Sequence, residues 1–147
     1  MKKLFILLLI FLNIPNYSKS DDFFEDITYQ ILENQPRLSY GVSVSDINND
    51  GNFEFLVTGF GFNNLALAYK KGILFNSIDQ NLFLDKNRKT IGVASCDIDQ
   101  DGYEEIYFLN TDTYSGNKRY SDRLLDFDGN KFFDLFELEI NQKNLNL

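Results

Sequence analysis

Beyond residue 20 the apolar positions fall in short runs instead of at helical spacing. Residues 55–58, 65–69, 73–75, 106–109, 124–127 and 132–136 are such runs, rich in β-branched and aromatic side chains that suit a pleated surface. Lys70-Lys71-Gly72 and Asp128-Gly129-Asn130 each separate two of them. Gly, Asp and Asn tolerate positive φ, so both triplets predict hairpin turns. Pro15 and Pro36 stand outside every run. The pattern predicts short antiparallel strands and little helix.

The same pattern occurs twice. Gly41-Val42-Ser43-Val44-Ser45-Asp46-Ile47-Asn48-Asn49-Asp50-Gly51 matches Gly92-Val93-Ala94-Ser95-Cys96-Asp97-Ile98-Asp99-Gln100-Asp101-Gly102 at an offset of 51 residues. Each unit reads as strand, acidic loop, strand and a closing hairpin, which is the content of one propeller blade. The expected fold class is all-β: about two four-stranded antiparallel blades of a β-propeller, with a first repeat over 41–90 and a second over 91–140. Residues 21–40 are expected to supply a linker and, at Phe24-Glu25-Asp26-Ile27, the last strand of a preceding blade; 141–147 read as a polar tail. Two blades cannot close a ring and would leave strand edges open. The chain is therefore expected to be part of a longer propeller or a truncated relative of one, and to pair with further blades.

Residues 1–20 differ from the rest. Lys2 and Lys3 precede an apolar run over 4–12, Asn13, Pro15 and Asn16 break it, and Ser18 and Ser20 lie at the −3 and −1 positions before Asp21. This is the layout of a secretory signal peptide. The run is shorter than the about 20 residues needed to span a bilayer. The expectation is export to an extracellular (or, in a bacterium, periplasmic) space, with no membrane span after cleavage. Loss of 1–20 removes three lysines and no acid, leaving eleven basic against 22 acidic residues, a net charge of −11. Such a balance argues against a nucleic-acid binder. There is no His, which excludes histidine bases and ligands, and the single Cys96 excludes an internal disulfide and a zinc cluster. Cys96 is expected to be a small buried strand residue.

The chemistry lies in the two acidic loops. Positions 1, 3, 5 and 9 are Asp46, Asn48, Asp50 and Glu54 in the first, and Asp97, Asp99, Asp101 and Glu105 in the second. Position 6 is Gly in both, and the backbone carbonyl of position 7, Asn52 or Tyr103, would add an oxygen. Alternate oxygen side chains on a curled loop suit Ca²⁺, which takes about 6–8 oxygen ligands at about 2.3–2.6 Å. An EF-hand needs a Glu at position 12, where these loops carry Val57 and Phe108. The second loop, with four carboxylates against three, is expected to bind more tightly. Asp112, Asp122, Asp126 and Asp134 read as solvated turn or strand-edge acids, and Tyr114 and Tyr120 beside Ser115-Gly116-Asn117 as an incidental exposed loop.

The stretches GVSVSDINNDGNFEFLVTGFGFNNLALAYKKG (41–72) and IGVASCDIDQDGYEEIYFLNTDTYSGNKRYSDRL (91–124) resemble the FG-GAP or VCBS calcium-binding repeats of integrin-like β-propellers. Within that group they are similar to the cartilage acidic protein (ASPIC/UnbV-containing) family. The resemblance implies a secreted, non-catalytic propeller that holds Ca²⁺ through the loop positions named above and serves adhesion or contact with extracellular protein, matrix or glycan. Family propellers have about seven blades, against about two here. The alternative is a carbohydrate-binding protein or a component of a polysaccharide-acting enzyme, although no acid pair separate from the loops is visible.

Overall fold

A computed structural model of the chain describes residues 24–32, 34–111 and 120–138. The leader over 1–20, Asp112, Tyr114, Ser115-Gly116-Asn117 and the tail over 141–147 lie outside the described residues. The described chain forms two four-stranded antiparallel sheets, each built from consecutive strands. The first has the order β1 (Val42–Ser45), β2 (Glu54–Val57), β3 (Leu65–Lys70), β4 (Ile73–Asn76). The second has the order β5 (Thr90–Cys96), β6 (Glu105–Asn110), β7 (Arg123–Phe127), β8 (Phe132–Asp134).

Period-2 alternation decides which side chains enter the core. Leu56 of β2 is buried while Phe55 beside it is exposed, and Ile106 and Phe108 of β6 are buried while Leu109 is exposed. Ile47, Leu56 and Ala66 of the first unit share one core with Ile106, Phe108, Leu125 and Phe132 of the second. The innermost strands β1 and β5 also meet, the Ser95 hydroxyl donating to the Val44 carbonyl at 3.4 Å, and Ser45 at the end of β1 donates to Oε2 of Glu104, just before β6, at 2.5 Å.

The connector between the sheets contains a one-turn helix that the hydrophobic pattern does not announce, α1 (Asn81–Leu84). Phe83 and Leu84 of α1 are buried in the shared core. Asn64, itself buried, ties the connector down: its side-chain amide donates to the Phe83 carbonyl at 3.1 Å and its backbone N–H to the Leu84 carbonyl at 2.8 Å.

Three local expectations are corrected. No strand forms over residues 24–27. Asp26 Oδ1 instead accepts the Thr28 N–H at 2.9 Å and starts a 3₁₀ turn over Thr28–Gln30, the local alternative that short acids offer the backbone. This segment touches the first sheet only downstream, where Ile31 makes a single parallel bridge to Leu74 of β4. Cys96 is exposed, because over the last four residues of β5 Val93 and Ser95 are half-buried and Ala94 and Cys96 lie on the open face. The last apolar run ends as a strand at Asp134, whose Oδ1 accepts the Phe136 N–H at 3.0 Å and turns the chain away.

Candidate metal centre

Both acidic loops connect the first two strands of a sheet, and they share one backbone shape. Asn49 and Gln100, at matching positions, adopt positive φ of 54° and 66°, and Gly51 and Gly102 follow at 85° and 96°. A Cβ at either glycine would be strained by that backbone conformation, so the sharp turn requires the residue found there. The loops lie side by side: a Cβ on Gly102 would come within 3.0 Å of the Asn49 side-chain nitrogen.

The second loop directs its backbone donors to the outer oxygens of its acids. Gly102 N–H donates to Asp97 Oδ2 at 3.2 Å, Asp101 N–H to Asp99 Oδ1 at 3.1 Å, and Tyr103 N–H to Asp101 Oδ1 at 2.8 Å. From the strand beyond, Glu105 receives the Ile98 N–H on Oε2 at 2.5 Å. What remains is a set of oxygens without a donor. Asp97 Oδ1 and Glu105 Oε1 are buried and have no hydrogen-bond partner, and Glu105 as a residue is only 3% exposed. One carboxylate oxygen from each of Asp97, Asp99 and Glu105 falls within 4.8 Å of the others. Oxygens around a single Ca²⁺ lie up to about 5 Å apart, twice the ion–oxygen distance. The trio therefore has the donor chemistry and the span that a hard cation needs. Asp101 is turned toward the Tyr103 N–H and is not part of the trio.

The first loop has the same turn with its polar atoms engaged among themselves. Asp46 accepts the Asp50 N–H at 2.9 Å on one oxygen and the Gly51 N–H at 2.8 Å on the other. Asn48 Oδ1 also accepts the Asp50 N–H at 3.1 Å, and its amide donates to Asp50 Oδ2 at 3.3 Å. Asn52 donates to Asp50 Oδ1 through its backbone at 2.8 Å and its side chain at 3.0 Å, which holds the Asp50 carboxyl below its ordinary pKa. Glu54 is buried behind the loop and accepts the Ile47 N–H at 3.4 Å. Among the described residues no second trio of carboxylates converges in this loop.

Burial raises the pKa of Glu105; the Ile98 N–H opposes the rise, and Asp99 and Asp126 reinforce it. Glu54 is raised likewise, first by burial and then by Asp50 and Asp46 against the Ile47 N–H. A carboxyl whose pKa is raised on folding favours the folded state when protonated. In chelator, the contribution of Glu105 is complete below its ordinary value of 4.5 and is lost as pH rises through the raised one. The denaturation midpoint of the chelated chain is expected to fall more steeply above pH 4.5 than that of Glu105→Gln. Equal slopes in urea melts of the two chains would refute this.

Asp122, Asp126 and Asp134 are not the solvated residues that the sequence suggests. Asp122 accepts the Tyr107 hydroxyl and the Asn110 N–H, both at 2.8 Å. Burial and then this acid push the Tyr107 hydroxyl up to about 12. Asp134 is buried against Arg123, and Asp126 on β7 buries an unpartnered Oδ1. Their roles depend on which strands neighbour each other, which local spacing does not carry. Tyr120 lies under the Arg88 guanidinium, 5.3 Å from the ring centre.

Two strand–acidic loop–strand units, each opening a four-stranded antiparallel sheet, define a β-propeller-type repeat chain, and residues 46–108 match the family model described as FG-GAP-like repeat. Residues 46–108 thus carry an FG-GAP-like repeat, and the chain is similar to the cartilage acidic proteins. Cartilage acidic protein 1 of Xenopus tropicalis is 42% identical over 137 residues, which cover 84% of this chain and 21% of that protein. The Homo sapiens protein of the same name is 38% identical over 152 residues, covering 93% and 23%, and that of Mus musculus is 35% identical over 137 residues. The chain thus spans about a fifth of the length of the curated relatives it matches. No helix among the described residues is long and apolar enough to cross a membrane.

Proposed function

We propose that the chain is a calcium-stabilised, non-catalytic extracellular interaction module. The observation that carries this reading is the convergence of Asp97, Asp99 and Glu105 with two buried oxygens that no protein donor satisfies. Burying like charges together is unfavourable unless a cation or a proton neutralises them. A divalent ion would be held by Asp97, Asp99 and Glu105, with Asp101 and the Tyr103 carbonyl at the rim. The first site would use Asp46, Asn48, Asp50, the Asn52 carbonyl and Glu54. The role is structural: the ion fixes the turn between the two inner strands of each blade and so holds the sheets in register. Kinship with proteins named for cartilage supports a setting of adhesion or matrix contact, with an extracellular protein or glycan as partner. The exposed Val42, Val44 and Phe55 of the first sheet suit cover by a further blade.

The test is calorimetric titration of calcium into the chelated chain, with thermal melts alongside. Extracellular modules bind in the range of about 10⁻⁴–10⁻³ M. At an ion concentration one hundredfold above Kd, the gain is about 2.7 kcal/mol per site. Asp97→Ala is expected to remove the tighter event and Asp46→Ala the weaker one. Absence of binding heat, or a melting temperature indifferent to chelator, overturns the reading; equal or reversed affinities overturn the ranking.

A further inference from the structure

The second ion site has a neighbour outside its loop. Asp126 lies on β7, where a charged residue is disfavoured by strand packing. The β6–β7 register pairs Ile106 with Leu125, and one further step places Asp126 opposite Glu105. Directly opposed strand residues project from the same face, with Cβ atoms about 4.5–5.5 Å apart. Two further observations agree with this placement. Asp126 Oδ1 is buried and has no hydrogen-bond partner, like Glu105 Oε1 and Asp97 Oδ1. Asp99 and Asp101 also act on Asp126 electrostatically: after burial, their charges are the leading causes that raise its pKa. Yet Asp126 is not one of the three residues whose oxygens fall within 4.8 Å of one another.

We propose that Asp126 is an outer carboxylate of the second ion site, its buried Oδ1 accepting a hydrogen bond from a water bound to the divalent cation that Asp97, Asp99 and Glu105 hold. This rests on the calcium reading of that loop. Backbone N–H groups occupy one oxygen each of Asp97, Asp99, Asp101 and Glu105, so these acids and the Tyr103 carbonyl offer one free oxygen apiece; that falls short of the six to eight the ion takes, and the water that completes the shell needs an acceptor. Asp126 supplies one, and its charge adds to the field on the ion.

The first blade provides the contrast. There the β2–β3 register pairs Phe55 with Leu67, which places Ala68 opposite Glu54. Each of the two residues faces a Phe on the outer side, Phe75 for Ala68 and Phe133 for Asp126. The two positions are equivalent, and only the second blade carries a carboxylate. Asp126 thus separates the two sites by a residue that neither loop contains.

The experiment uses the full chain. With the first loop disabled by Asp50→Ala, calcium affinity is measured by calorimetry with Asp126 intact and as Asp126→Asn. Loss of a group that supports metal ligands from outside the first shell lowers affinity about 10–100-fold, and the lower end of that range is expected here. The melting temperature in chelator should hold or rise, because a buried like charge has been removed. Conversely, with the second loop disabled by Asp99→Ala, Ala68→Asp should tighten the first site. An unchanged affinity in Asp126→Asn overturns the proposal while leaving the calcium reading intact. A lowered melting temperature in chelator, showing that Asp126 serves the ion-free fold, also overturns it. Absence of calcium binding even with Asp126 present overturns both.

Discussion

Phe83→Ala is expected to destabilise the chain by about 3–5 kcal/mol, the usual range for deleting a buried aromatic ring. Phe83 is fully buried and comes from the connector, not from a strand. Its ring meets Phe108 of β6 edge-on and Phe132 of β8 at a tilt, with centroids 5.5 Å apart in both cases. It therefore packs into the core that the two sheets share. Truncation removes the transfer energy of the ring and leaves a cavity lined by the two remaining phenylalanines. Urea denaturation measures the loss; a change below about 1 kcal/mol would show that α1 does not dock there. A fragment begun at residue 90 contains all four strands of the second sheet but lacks this ring, and is expected to be unfolded in the same assay.

Arg123→Ala is expected to cost about 3–5 kcal/mol, the penalty for breaking a buried ion pair by removing one partner. The Arg123 guanidinium contacts Asp85, the residue that ends α1, at 3.1 Å, Asp134 of β8 at 2.5 Å and Glu137 at 3.0 Å. Burial lowers its pKa, and Asp85 and Asp134 more than reverse that, so the group is held charged. In its absence Asp85 keeps Arg88 at 2.9 Å. Asp134 keeps only backbone donors, on Oδ1 from Leu124 and Phe136, and its Oδ2 is left buried without a partner. Arg123→Lys retains the charge but not the planar fork that reaches three acids, and should fall between wild type and Ala. Denaturation at low and high salt separates this from a surface effect, since buried pairs are screened less. A loss below about 1 kcal/mol, or one that salt abolishes, would refute the assignment.

Much of the fold is legible along the chain because strands announce themselves locally. The six apolar runs at 55–58, 65–69, 73–75, 106–109, 124–127 and 132–136 all contain or overlap strands, and both hairpin triplets lie at turns between paired strands. The repeat offset carries over to structure, since the two loops reproduce each other's positive-φ residues. Where the reading stops, the reason is also local. A helix of four residues such as α1 completes barely one turn, so no periodicity can betray it. Phe83 gains its importance from rings that lie 25 and 49 residues further along. Asp126 resembles any acid near a turn until the β6–β7 register sets it across from Glu105. Cys96 follows Val93-Ala94-Ser95, a stretch whose alternate faces differ too little to tell inside from outside.

The exposed Cys96 has a practical consequence. It is the only thiol in the chain, and it immediately precedes Asp97, the first acid of the second loop. A maleimide-linked fluorophore would therefore attach at one defined place, adjacent to the carboxylates, with no engineered handle. Its emission should respond when the second loop fills and stay nearly silent when only the first does, so a single labelled sample would resolve two overlapping binding events.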